Sequence, residues 1–119
     1  EPYLDNHKGE WMTDLEVFQR AFRIYWDAGY QIHIHVNGDA GLDRVLDTLE
    51  TNLRRHPRFD HRTTIVHFAV SAKDQVERIK RLGCIVSANP YYVRALAVNY
   101  SEVGLGPERA DQMVRMGDV

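Results

Sequence analysis

Three histidines occupy places where a side chain could do chemistry. His33 and His35 lie two residues apart in the run Gln31-Ile-His-Ile-His-Val-Asn-Gly-Asp39, and His67 stands within Thr63-Thr-Ile-Val-His-Phe-Ala69. An imidazole inside an apolar run can be a hydrogen-bonded core residue, a metal ligand in its neutral form, or a proton shuttle. Its height in the strand, and what stands beside it, decide among these. Asn37, Asp39, Asn89 and Tyr91 fall just beyond similar apolar runs and are the further candidates to border a ligand.

The elements that position these residues can be read from the pattern. Residues 1–12 carry Pro2, Asn6 and Gly9 among polar and aromatic residues, an irregular lead-in. Thr13 with Glu16 makes a capping-box pattern, and Leu15, Phe18, Phe22 and Tyr25 recur at helical spacing until Gly29. Residues 30–36 alternate apolar and polar and end at Asn-Gly, which predicts a strand. Leu42, Val45, Leu46, Leu49 and Leu53 then form the stripe of a second helix that stops before Pro57. The unit repeats: a β-branched strand over 63–69, a cap at Ser71 and Asp74, a helix through Val76, Ile79 and Leu82, a stop at Gly83, and a strand over 84–88 ended by Asn89-Pro90. Residues 91–103 are less regular, and Pro107 opens a short last helix that ends near Gly117. Alternating helices and strands predict an α/β domain built of parallel βα units, one domain over residues 1–119.

In parallel sheets ligands sit beyond the carboxyl ends of the strands. Those ends carry His35, His67 and Asn89. Adjacent strands lie about 4.8 Å apart, so imidazoles at matched heights can share one cation at His-to-zinc distances of about 2.0–2.1 Å. Two imidazoles are one short of the three protein ligands usual in a catalytic zinc site. Asp39 is either the third ligand or the cap of the helix that follows, and the cap is the simpler reading. His33 sits one pleat below His35, as support for it or as core. His7, His56 and His61 lie in polar or loop contexts and read as solvated surface.

Composition excludes several classes. Fifteen basic and seventeen acidic residues give a net charge of −2, which leaves no electrostatic footprint for nucleic acid or an anionic membrane. No apolar run approaches the roughly eighteen residues of a membrane span. The only cysteine is Cys84, so there is no disulfide framework, and a cytoplasmic setting is the default. Gly-rich phosphate loops, nucleophile elbows and paired-cysteine motifs are absent from the sequence.

Taken with their surroundings, these motifs carry a resemblance. HVNGDAGLDRVLDTLE resembles the pattern His-Ala-x-Gly-Asp-x-Ala followed by a helix in the amidohydrolase superfamily, in the branch called amidohydrolase family 3. TTIVHFAVSAKDQVERIKRLGCIVSANP is similar to that family's sixth strand, helix and seventh strand, and LGPERADQMVRMGDV to the segment ahead of its last strand. The resemblance implies a partial (β/α)8 TIM barrel, about strands 5 to 7, from a metal-dependent hydrolase of C–N bonds other than peptide bonds. It implies His35 as the fifth-strand ligand and His67 as the sixth-strand ligand of zinc or another divalent metal. The first-strand His-x-His and the fourth-strand lysine would lie before Glu1, and the eighth-strand aspartate, the general base, after Val119. Ala40, Gly41, Asn37 and Asn89 depart from the family pattern at positions that border the substrate.

The expectation is therefore a piece of a larger hydrolase of small molecules, inactive by itself, with the question left open whether it holds a metal alone. The alternative is a non-enzymatic α/β module with structural histidines that binds a ligand or self-associates into a homo-oligomer through exposed sheet edges.

Overall fold

Asp14, one residue later than expected, opens the first helix. Its carboxylate accepts from the N–H groups of Glu16 (2.9 Å) and Val17 (3.2 Å). That satisfies two of the donors that a helix start leaves free, a task the Thr13 hydroxyl was expected to perform. The computed structural model describes residues 2–119. Helix α1 spans Leu15–Asp27, and Gly29, at φ +82°, ends it. Its inward stripe is Phe18, Phe22 and Trp26, whereas Tyr25 is exposed.

Strand β1 (His33–Val36), helix α2 (Asp39–Arg55), strand β2 (Thr64–His67), helix α3 (Lys73–Leu82) and strand β3 (Ile85–Ala88) follow in order. The three strands are parallel and adjacent in the order β1, β2, β3, as the alternation predicts. They are shorter than the apolar runs, although backbone bonds from Thr64 N–H to the Ile32 carbonyl and from Ile85 N–H to the Thr63 carbonyl, both 2.9 Å, lie just beyond the ladder ends. Helices α2 and α3 cover one face. There Ile34, Val36, Ile65, Val86 and Ala88 meet Leu42, Val45, Leu46, Val76, Ile79 and Phe68. On the other face His33, His35, Ile85 and Ser87 are exposed. Period-two alternation along each strand accounts for the split.

The start of α3 also differs from the sequence expectation. Helix α3 is capped at Ala72, whose N–H donates to Gln75 Oε1 at 2.9 Å, while the Ser71 hydroxyl is buried with no hydrogen-bond partner among the described residues. Gln75 has the longer reach and also donates to the Asp39 carbonyl at 2.8 Å, tying α3 to the start of α2. Gly83 ends α3 in the left-handed conformation, as expected. Residues 91–103, read as irregular, are helical instead: α4 spans Tyr91–Asn99 and runs into a π-helical turn, Tyr100–Gly104. The low amphipathicity of YYVRALAVN hid it. Helix α5 covers only Pro107–Asp111, with the proline in its first turn. Met113 and Val114 lie past its end, buried with Leu105 in a cluster against which Tyr3, Tyr92 and Tyr100 pack.

His61 is the clearest correction. It is buried, not solvated. Nε2 lies 2.8 Å from the Leu82 carbonyl, which can only accept, so Nε2 donates; Nδ1 accepts from the Thr63 N–H at 3.0 Å and lies 2.8 Å from the Thr63 hydroxyl. The local sequence DHRT is polar, and nothing in it signals that a carbonyl 21 residues away completes the ring's hydrogen bonds. His7 and His56 are exposed, as expected.

Cys84 precedes β3 and is partly buried. Burial pushes its thiol up to about 12. The thiolate is the reactive form, so at pH 8 iodoacetamide should label the folded protein at least roughly ten times more slowly than the urea-unfolded one. Because the folded value is the higher one, the linked stability is fully present below the unfolded thiol's pKa and is lost as pH rises toward 12. Equal labelling rates would show the thiol to be open to water.

Candidate metal centre

The two strand-end histidines reach each other by an indirect route. His35 pairs in register with Val66, and Val36 pairs with His67, so the histidines are offset by one residue and not at matched heights. Strict alternation would send His67 to the helix-covered face with Ile65. Instead His67 has φ +76° and Phe68 φ +51°. Two successive left-handed residues, each costing on the order of 1–3 kcal/mol, turn the chain at the end of β2. Phe68 drops into the core, 1% exposed. The His67 ring comes to the His35 side, with ring centroids 4.3 Å apart and planes at 68°.

Among the described residues each ring has one hydrogen-bonding side-chain neighbour. Asn37 Nδ2 lies 3.1 Å from His35 Nε2, and Tyr92 Oη lies 3.2 Å from His67 Nδ1. The Tyr92 and His67 rings are close to parallel, 5.8 Å between centroids and 23° between planes. His33 remains one pleat below His35, exposed, with Nε2 2.9 Å from Gln31 Nε2.

The remaining candidates are occupied differently from what their positions suggest. Gly38, not Asp39, is the N-cap of α2; Asp39 is the first helical residue. Its Oδ1 accepts from the Ala40 N–H at 2.8 Å, and its Oδ2 lies 3.3 Å from Arg109 Nη2. The carboxylate thus serves the helix start and also ties α2 to α5, whose Arg109 donates in turn to the Pro2 carbonyl at 2.8 Å. Asn89 Oδ1 accepts from the Tyr91 N–H at 3.2 Å and shapes the turn into α4. Tyr91 is 66% exposed; its neighbour Tyr92 is the tyrosine that meets a histidine. In the sequence the two tyrosines are an undifferentiated pair. Only the phase of α4, about 100° per residue, separates them.

The donor set fits part of a metal site. Among the described residues no group of three or more His, Cys, Asp and Glu side chains could hold a metal ion. His35 and His67 bring two imidazole rings to one place, each with a ring nitrogen able to act as a donor, and the sheet face beside them is exposed. No helix among the described residues is long and apolar enough to cross a membrane.

Comparison with known proteins gives concordant results. The model of the amidohydrolase family matches residues 1–118. A curated relative, "Putative amidohydrolase YtcJ" of Bacillus subtilis (strain 168), is 26% identical over 95 residues, covering 78% of this chain and 17% of that protein. Among solved structures, an uncharacterized metal-dependent hydrolase from Pyrococcus furiosus superposes with a TM-score of 0.79 at 27% identity, covering 99% of this chain and 24% of that one. Another from Pyrococcus horikoshii OT3 gives a TM-score of 0.79 at 28% identity, covering 99% and 23%. The chain spans between about a sixth and a quarter of the length of these relatives.

Proposed function

The chain belongs to the amidohydrolase family, and on that premise we propose that it is part of a metal-dependent hydrolase, contributing His35 and His67 as two ligands of a catalytic divalent metal. The observation that carries the reading is the meeting of these two rings, 4.3 Å apart, at the carboxyl ends of adjacent parallel strands. The backbone turn at His67 and Phe68 adds support, because strain of this kind persists where the surrounding structure enforces it and clusters at functional sites. The exposed sheet face, with Ile85 45% exposed beside His33, His35 and Ser87, is consistent with an arc of a (β/α)8 barrel, about its strands 5 to 7, whose interior would be filled by further strands.

When bound, the metal, zinc or another divalent cation, would polarise a carbonyl and lower the pKa of a water toward neutrality. This chain's residues would hold and orient: His35 and His67 as neutral nitrogen donors, His33 supporting from one pleat below, and Asn37 against the His35 ring. The reaction class we infer is hydrolysis of amide-type C–N bonds in a small molecule, with Asn37, Asp39 and Asn89 at its margin. The general base and remaining ligands would come from outside this chain, so the isolated 119 residues should turn over no substrate. A lone cysteine supports a cytoplasmic setting.

Metal analysis of the full-length protein tests the proposal. Stoichiometric divalent metal, lost in a His35→Ala, His67→Ala double variant, supports it. Wild-type protein with neither metal nor hydrolase activity sinks it and favours the non-enzymatic α/β module, in which both rings are structural.

The isolated chain carries a second expectation. With the order β1, β2, β3, the outer edges of β1 and β3 have no strand partner among the described residues. Unpaired edges invite pairing with another copy. Light scattering at roughly 1 mM chain should therefore detect self-association, and a strictly monomeric species would refute it.

A further inference from the structure

A ligating histidine needs its second ring nitrogen held. In metal sites that nitrogen almost always carries the proton and donates to a carboxylate, carbonyl or water, which fixes the tautomer and the ring's direction. Among the described residues no carboxylate or carbonyl accepts from the His67 ring; the neighbour of its Nδ1 is a phenol, Tyr92 Oη at 3.2 Å. We propose that Tyr92 is a positioning residue for His67, its hydroxyl accepting the Nδ1 proton and thereby leaving the Nε2 lone pair for the metal. This rests on the reading of His67 as a ligand.

Three observations support the assignment. A tyrosine hydroxyl has acceptor lone pairs as well as a proton, so it can take the Nδ1–H. The two rings lie near parallel at 5.8 Å, which limits rotation of the imidazole about its own axis. Tyr92 is itself held from behind, packed on the buried cluster of Leu105, Met113 and Val114. Tyr92 thus links the buried C-terminal cluster to the His67 ring. The direction of that hydrogen bond decides competence: if the phenol donates instead, the imidazole proton sits on Nε2 and blocks it.

The test compares the full-length wild type with Tyr92→Phe, Tyr92→Leu and His67→Ala, using Zn²⁺ as the probe in competition with a chromophoric chelator. Tyr92→Phe keeps the ring and its packing and removes only the hydroxyl. It should melt with the wild type and bind Zn²⁺ about 10–100-fold more weakly. The His67 Nδ1 proton, followed by ¹⁵N-edited NMR of the Zn²⁺-loaded protein, should be protected from exchange in the wild type and lose that protection in Tyr92→Phe. If Tyr92→Phe binds Zn²⁺ as tightly as the wild type while Tyr92→Leu is impaired, the side chain acts by packing alone and the proposal is overturned, with the ligand reading intact. If His67→Ala also binds like the wild type, the ligand reading fails and takes the proposal with it.

Discussion

Alanine at His35 or at His67 in the full-length protein is expected to lower turnover on the order of 10³-fold, equivalent to about 4 kcal/mol of barrier, while the protein stays folded. The ring centroids lie 4.3 Å apart, so on the proposed reading a shared cation would lose a donor with either change. Ligands that act as a unit are not additive, and the double variant should be little worse than either single one. The fold should tolerate both substitutions. His35 is exposed, His67 is partly exposed, and neither belongs to a buried core cluster. His67 offers a sharper control, because its left-handed backbone is unfavourable for histidine and more acceptable for asparagine. His67→Asn should melt at or slightly above the wild-type temperature and yet lose turnover to the same degree. That opposition separates a functional residue from a structural one. Retention of activity within tenfold in any of these variants would remove the histidine concerned from the metal site.

Which parts of this were legible in the sequence depends on the range of the interactions involved. Element type was carried by local periodicity: the stripes of α2 and α3, the alternation around His33 and His35, and the stops at Gly29 and Gly83 all lie within a few residues of what they determine. The parallel order of the strands followed from alternation of helix and strand. His35 and His67 were recognisable as strand-end residues, but not the means by which they meet. Matched heights were expected, whereas the register is offset by one and two positive-φ residues correct it. No propensity scale flags a left-handed His-Phe pair, since the conformation is imposed by Phe68 entering the core. His61 failed for the opposite reason: its surroundings in sequence are polar, and its burial depends on Leu82 and Trp26. Asp39 was placed within one residue of its role at the start of α2, and its second partner, Arg109, is 70 residues distant. The choice of Tyr92 over Tyr91 required the phase of a helix whose sequence has little amphipathic pattern.

Trp26 should be the most damaging single site for stability. Its side chain is fully buried, stacked on Phe22 at 5.8 Å and tilted against His61 at 5.3 Å. Its indole Nε1 donates to the His56 carbonyl at 2.9 Å, which ties the end of α1 to the end of α2. Arg58 lies 4.7 Å over the ring and donates to the carbonyls of Trp26, Gly29 and Tyr30, supplying donors to groups at and beyond the C-terminal end of α1. Removing the indole therefore opens a cavity and also strips the surface on which His61 and Arg58 rest. Trp26→Ala should cost about 3–5 kcal/mol, a large part of the roughly 5–15 kcal/mol that stabilises an ordinary domain. Trp26→Phe restores most of the apolar volume and loses the hydrogen bond, so about 1–2 kcal/mol is expected. His61→Leu should cost about 2–3 kcal/mol, because the Leu82 carbonyl and the Thr63 N–H are left without their partner. Since His61 and Trp26 touch, their double variant should fall short of the sum by on the order of 0.5–3 kcal/mol. Urea midpoints of the four variants measure all of these. A loss below about 1 kcal/mol for Trp26→Ala would mean that α1 is not docked through this ring, and the node joining α1 to the α2–β2 connection would have to be abandoned.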